Sequence, residues 1–328
     1  MKKFFFIAAL ASLTLVSCVK DEPAASVDAQ HEISFMAAPI TKATGPFQTT
    51  NVFESWAFYT PTDWATNKAT AVVYGNLGDV LIEYDDDDTS ANYKDWWNVT
   101  GGEHFYWPKA GKLTFFSYSL NSHLTDDDVK CSREKGIYVE DYNVNTKKDV
   151  DFLVADMAED LNSGEVPTLF RHKLSNVAFT IETTADYTAT KTFKLQSITL
   201  NNLEAEADYQ QLGAEGWSEY GADVAATTFY NAPDLPFDHT GETPTPVQYL
   251  YMPQDWGGDE TVTVVYTVTS GGATENVSIT KKLNEIFTAG WEMGMKYTCA
   301  IKIGLQEILW TPSVEEWAPG TAVDFEIN

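Results

Sequence analysis

Thr261-Val262-Thr263-Val264-Val265-Tyr266-Thr267-Val268-Thr269 carries apolar side chains at 262, 264, 266 and 268, with polar ones at most positions between. A period of two sends one set of side chains to a buried face and the other to water, which predicts an antiparallel strand wet on one side. Gly271-Gly272 follows at once and precedes a second apolar alternation, the signature of a tight hairpin. The same period returns in 297–305, where Tyr297, Cys299, Ile301, Ile303 and Leu305 share a face. Working outward, shorter strand candidates cover 33–35, 55–60, 80–84, 104–107, 112–118, 136–144, 151–155, 171–183, 193–201, 247–252, 277–283 and 322–327. Turn residues separate many of them, as in Gly101-Gly102, Lys109-Ala110-Gly111, Asn162-Ser163-Gly164 and Gly257-Gly258. Sustained helical periodicity is missing. Many short strands with frequent turns predict an all-β fold of packed antiparallel sheets, not a parallel α/β sheet. Within 171–181 the apolar phase slips, because Leu174 falls on one parity and Val177, Phe179 and Ile181 on the other, so a β-bulge is expected near Ser175-Asn176.

The chain has 328 residues, more than one ordinary β domain needs. The polar, glycine-bearing run Glu159-Asp160-Leu161-Asn162-Ser163-Gly164-Glu165, ending near Pro167, suggests a boundary, giving β-sandwich domains over 31–162 and 163–328. Aromatic content of 13% favours half-buried pleated surfaces. With 48 acidic against 21 basic residues the formal charge is −27, which argues against nucleic acid and anionic lipid head groups as partners.

At the N-terminus, Met1-Lys2-Lys3 leads into the apolar run from Phe4 to Val16, too short to span a bilayer and shaped like an export signal. Its ending, Leu15-Val16-Ser17-Cys18, resembles a bacterial lipobox, with residues 1–17 as the signal and Cys18 as the lipidated new terminus; a plain signal peptide is the alternative. Acyl chains contribute roughly 0.8 kcal/mol per buried methylene, enough for two or more to anchor a protein that does not span the membrane. Residues 18–30 read as a flexible tether, and acidic Asp21-Glu22 resembles a surface-export signal. The expected location is the outer-membrane surface. Beyond Cys18 only Cys131, in a polar stretch, and Cys299, on an apolar face, remain, and these are expected to stay unpaired.

Chemistry is sparsely represented. His31, His104, His123, His172 and His239 form no metal-ligand spacing, and the aspartate runs at 85–88 and 126–128 lack the spacing of a calcium loop. No nucleophile elbow, phosphate loop or dinucleotide fingerprint is present, so no catalytic residue, metal or cofactor is assigned. His172 has no evident nucleophile partner and reads as a packed strand histidine. Trp96-Trp97 and Trp256 could serve instead as exposed platforms for a glycan or host protein, the reading in which the molecule is a monomeric binding lipoprotein.

Four segments together resemble the fimbrillin family, the type V pilus subunits of Bacteroidales. They are Phe105-Tyr106-Trp107-Pro108 leading into Leu113-Thr114-Phe115-Phe116-Ser117-Tyr118; Asp151-Phe152-Leu153-Val154-Ala155; Phe170-Arg171-His172-Lys173-Leu174-Ser175-Asn176-Val177; and Phe287-Thr288-Ala289-Gly290-Trp291 leading into Tyr297-Thr298-Cys299-Ala300-Ile301. Ile33-Ser34-Phe35-Met36-Ala37 and the lipobox add to the likeness. The resemblance implies two transthyretin-like antiparallel β-sandwich domains in tandem, no enzymatic activity, loss of the first strand by proteolysis, and head-to-tail assembly with other pilin subunits by donor-strand exchange. It places the protein in a fimbrium, reached through a lipid-anchored precursor. The family's cut follows an arginine, whereas the matching position here is Lys42, so either a lysine-accepting protease acts or the strand is retained. The donated strand would be C-terminal, with Val323, Phe325 and Ile327 on one side; an ordinary last strand is the alternative. Trp310 to Trp317 is expected to pack across the domain end.

Overall fold

The computed structural model describes residues 32–39, 52–84, 96–98, 104–120, 128–147, 150–185, 190–221, 227–231, 234–240, 247–304 and 308–317. Segments 1–17 and 18–30, the aspartate run 85–88, strand candidate 322–327, and Cys18, Lys42, Val323, Phe325 and Ile327 lie outside the described residues.

The described residues are almost wholly β, with one four-residue helix, Trp64–Asn67, and two short 3-10 turns among them. The first strands are β1 (Ser34–Pro39), β2 (Phe53–Thr60), β3 (Val72–Val73), β4 (Val80–Tyr84), β5 (Trp96–Asn98) and β6 (Lys112–Ser119). Next come β7 (Lys130–Ser132), β8 (Gly136–Asn143), β9 (Leu153–Ala155), β10 (Ala158–Leu161), β11 (Glu165–His172) and β12 (Ser175–Thr183). The chain continues through β13 (Thr192–Asn201), β14 (Glu206–Gln210), β15 (Gly216–Ser218), β16 (Thr227–Tyr230) and β17 (Leu235–Phe237). It ends with β18 (Val247–Tyr251), β19 (Thr261–Ser270), β20 (Ala273–Lys282), β21 (Met295–Ile303) and β22 (Ile308–Glu316).

The largest sheet has nine strands in the order β10-β6-β9-β11-β1-β5-β4-β2-β3, and β6 also pairs β2. That extra pairing closes β2, β6, β9, β11, β1, β5 and β4 into a ring, and closure is what removes free sheet edges. Strands β2 and β6 are buried on both faces. Phe53 and Ala57 of β2, with Leu113 and Phe115 of β6, point into the ring; Trp56 and Phe58, with Phe116 and Tyr118, point outward into a second core. A four-stranded sheet, β15-β14-β8-β7, covers that core with Val139, Tyr142, Ala207 and Tyr209. A third core lies between the sheets β18-β12-β21-β22 and β16-β13-β19-β20, where Val177, Phe179, Cys299 and Ile301 face Leu195, Leu200, Val262 and Val264. Gly271 and Gly272, at φ +58° and +86°, close the β19–β20 hairpin, a turn that needs positive φ at both central residues.

Two sequence expectations need correction. No bulge occurs at Ser175-Asn176, because β12 runs in unbroken register through both residues against β18 and starts at Asn176 against β21. The phase slips because the chain changes sheets at Lys173-Leu174, so that Leu174 enters the second core and Val177 the third. A register shift does occur in β13, between Leu195 and Ser197 against β19. Residues 308–316 form β22, an edge strand paired with β21, with Ile308 and Trp310 packed against the third core, Trp317 in the second, and the residues between them exposed. Pro312 is tolerated there because an edge strand is where a missing N–H is least costly.

Asn162-Ser163-Gly164 turns between β10 and β11, two strands of the same nine-stranded sheet. The stretches 31–162 and 163–328 interlock, since β14 from the later part pairs with β8 from the earlier one, with β15 and β7 flanking them in the same sheet.

Candidate functional site: the seat of the first strand

Strand β1 is an unusual stave in the ring. On one side it pairs in parallel with β11 from Ser34↔Glu165 to Pro39↔Phe170; on the other, among the described residues, the antiparallel pair Phe35↔Trp96 joins it to β5. The ladder to β11 is its longer described pairing, and buried side chains add to its hold. Ile33 and Phe35 are buried and Ala37 packs against the same core, whereas Met36 is 48% exposed. The alternation that marks β1 in the sequence is therefore its inward face.

Phe35 occupies an aromatic cage. Its ring stands edge-on to Phe53 at 5.5 Å and to Phe115 at 5.8 Å, and Phe53 meets Phe170 at 5.4 Å. Such edge-to-face pairs add about 0.5–1.5 kcal/mol each beyond the burial of apolar area. Just ahead of the strand, the Ile33 amide donates to the Phe105 carbonyl at 2.7 Å, Glu32 bridges Tyr106, and the Glu32 carboxylate pairs with His104. Trp107 packs against Phe115 at 5.8 Å. The Tyr74 hydroxyl donates to the Tyr106 carbonyl at 3.0 Å, and burial raises the pKa of that phenol, with Tyr59 nearby adding to the effect. The run Phe105-Tyr106-Trp107-Pro108 is thus the clip at the entrance to the seat.

Three of the four segments singled out in the sequence meet here, because Trp107, Phe115, Leu153, Ala155 and Phe170 share one core with Ile33 and Phe35. The fourth segment builds the third core, where Gly290 lets the Gln254–Trp291 bridge form. Phe53 and Val166 of the seat were not singled out in the sequence; a period-two register carried back from Ala57 to Phe53 was the available signal. The side chains of Trp96 and Trp97 lie outside the described set, though their backbone forms β5. Trp256 is half-buried, donates its indole N–H to the Phe287 and Ala289 carbonyls at 2.8 and 2.6 Å, and stands edge-on to Trp291 at 5.1 Å. It is a packing residue at the margin of the third core, not a free platform.

His172, at the end of β11, lies flat on Trp317 at 3.6 Å, with Nδ1 2.7 Å from an Asp151 carboxylate oxygen. The histidine packs as expected, but its ionic neighbour is a carboxylate. Cys131 and Cys299 are both free. Cys131 is half-buried, not exposed, and burial, then Asp79, raises its thiol pKa. Among the described residues no group of three or more His, Cys, Asp or Glu side chains is placed to hold a metal ion, and no helix is long and apolar enough to cross a membrane.

These features define the class: an all-β protein of packed sheets whose ring is completed by its own N-terminal strand. Solved structures share the fold. A fimbrial protein from Bacteroides vulgatus is 16% identical, with a TM-score of 0.59 over 81% of this chain and 93% of that one. A candidate cell adhesion protein from Bacteroides uniformis, also 16% identical, gives 0.55 over 88% and 98%, and one from Bacteroides ovatus, 14% identical, gives 0.51 over 88% and 97%. The chain belongs to the fimbrillin-like family, whose model matches residues 41–317. No curated protein sequence matches it.

Proposed function

We propose that this protein is a pilus subunit or accessory pilin of the bacterial cell surface, exported as a lipoprotein through Cys18 and assembled by strand exchange after a cut at Lys42. Family membership supports the fimbrial role. The observation that carries the assembly step is β1 itself, a stave laddered to β11 whose Ile33 and Phe35 are buried in the core of the ring. Its removal would bare the backbone of β11 and the aromatic cage together, and such a groove is filled by β-augmentation. A head-to-tail contact of this kind propagates instead of closing. Val323, Phe325 and Ile327 form the donated face in this reading. The tandem domains divide at Lys173-Leu174, with β14 and β15 lent back to the first.

Limited trypsin treatment of the folded mature chain is expected to cut at Lys42 and to yield SDS-resistant ladders, and Lys42→Ala is expected to abolish them. Persistence of a monomer after complete loss of β1 would overturn the proposal.

A further inference from the structure

We infer that, once β1 leaves, the first occupant of its seat is the C-terminal segment 321–328 of the same chain, with Phe325 in the place of Phe35 and the strand running opposite to β1. This inference rests on the strand-exchange reading and adds a self-sealed state to it.

The root of the tail is fixed. Trp317 is buried and stacked on His172; its amide donates to the Gly294 carbonyl at 2.7 Å, and the Gly294 amide donates to Leu174 at 3.0 Å. Trp317, the last described residue, therefore lies level with His172 to Leu174, at the end of the strand whose residues 165–170 seat β1. Each residue gained along an antiparallel tail is one residue lost along β11. Rooted at that level, such a tail brings Val323 opposite a residue between 166 and 168 and Phe325 opposite one between 164 and 166. Phe35 pairs with Val166, within that range.

Side-chain sizes select the same direction. The inward positions of the seat run Ile33, Phe35, Ala37, and the reversed tail reads Ile327, Phe325, Val323, with an aliphatic group first, an aromatic ring in the cage and the smaller residue last. The opposite direction would force Ile327 into the space of Ala37, and overpacking is destabilising. On the backbone, a reversed strand replaces the longer parallel ladder on β11 with an antiparallel one, which is slightly more stable per residue, while the Phe35↔Trp96 side turns from antiparallel to parallel. An eleven-residue tail (318 to 328) tethered beside its target has an effective concentration on the order of millimolar. Self-sealing thus precedes exchange, and polymerisation becomes a domain swap of the same strand between copies.

The test uses the full mature chain with Cys131→Ser and a site-specific protease sequence replacing residues 41–46. After cleavage and release of β1, the pair Glu165→Cys with Glu326→Cys is expected to form a disulfide within the monomer at high dilution, because Glu326 then takes the station of Ser34, which faces Glu165. Phe325→Ala is expected to cut that yield roughly tenfold. A crosslink obtained only with Glu165→Cys and Asp324→Cys would overturn the direction. Crosslinks found only in ladders at every dilution would overturn self-sealing and leave strand exchange standing. If no tail crosslink appears, no ladder forms and an added peptide of residues 32–39 does not rebind, strand exchange itself fails.

Discussion

A Cβ on Gly290 would come within 2.2 Å of the Gln254 carbonyl oxygen, which is backbone and cannot step aside. That contact explains why glycine precedes Trp291 in the run Phe287 to Trp291: the two strands of the Gln254–Trp291 bridge touch there, with reciprocal amide bonds of 2.8 Å. Gly290→Ala is expected to destabilise the protein by about 2 kcal/mol or more, read by chemical denaturation. Cys299 makes a second residue-scale case. Burial pushes its thiol pKa up to about 12, a backbone hydrogen bond offsetting part of the shift. Between the ordinary thiol value of about 8.5 and that value the native state holds a proton that the unfolded chain has lost, so its contribution to stability falls as pH rises through that window. At pH 8 the native chain is expected to leave Cys299 unalkylated by iodoacetamide, with labelling only on unfolding; native-state labelling would refute its burial.

At the scale of elements, β1 is seated by its buried side chains. Phe35→Ala empties the aromatic cage and is expected to cost about 3–5 kcal/mol, with earlier release of β1 seen as faster protease cleavage between residues 39 and 52. Strands with one wet face, such as β19 and β21, were plain in the sequence because their period of two is a direct record of burial. Others were hidden for stated reasons. The β11–β12 passage reads as one bulged strand because both sides of the sheet change are apolar. Strand β22 carries Pro312 and, beyond Ile308 and Trp310, is exposed on both faces, with Leu309 47% and Val314 51% accessible, so neither period nor composition announces it. Strands β14 and β15 bury the small Ala207 and sit beside glycines, a weak pattern that only the Tyr209–Trp217 contact at 5.2 Å makes sense of.

For the whole molecule, sequence separation limits what can be read. Period-two patterns reveal faces, whereas ring closure depends on β1 finding β11 more than a hundred residues away, and alternation does not encode the partner. The aromatic segments did point to the seat, since three of them converge on the core beneath Phe35. The sheet β15-β14-β8-β7 draws on both parts of the chain, so a fragment ending at Leu174 lacks half the cover of the second core. Such a fragment is expected to fail to fold, as judged by near-ultraviolet circular dichroism, while one extended through the β14–β15 hairpin retains more native signal. That shared sheet has a mechanical meaning too. Because β14 of the later part is hydrogen-bonded to β8 of the earlier one, pulling the two parts away from each other has to break that ladder as well as bend the link at Lys173-Leu174, so the molecule does not part there as at a free hinge.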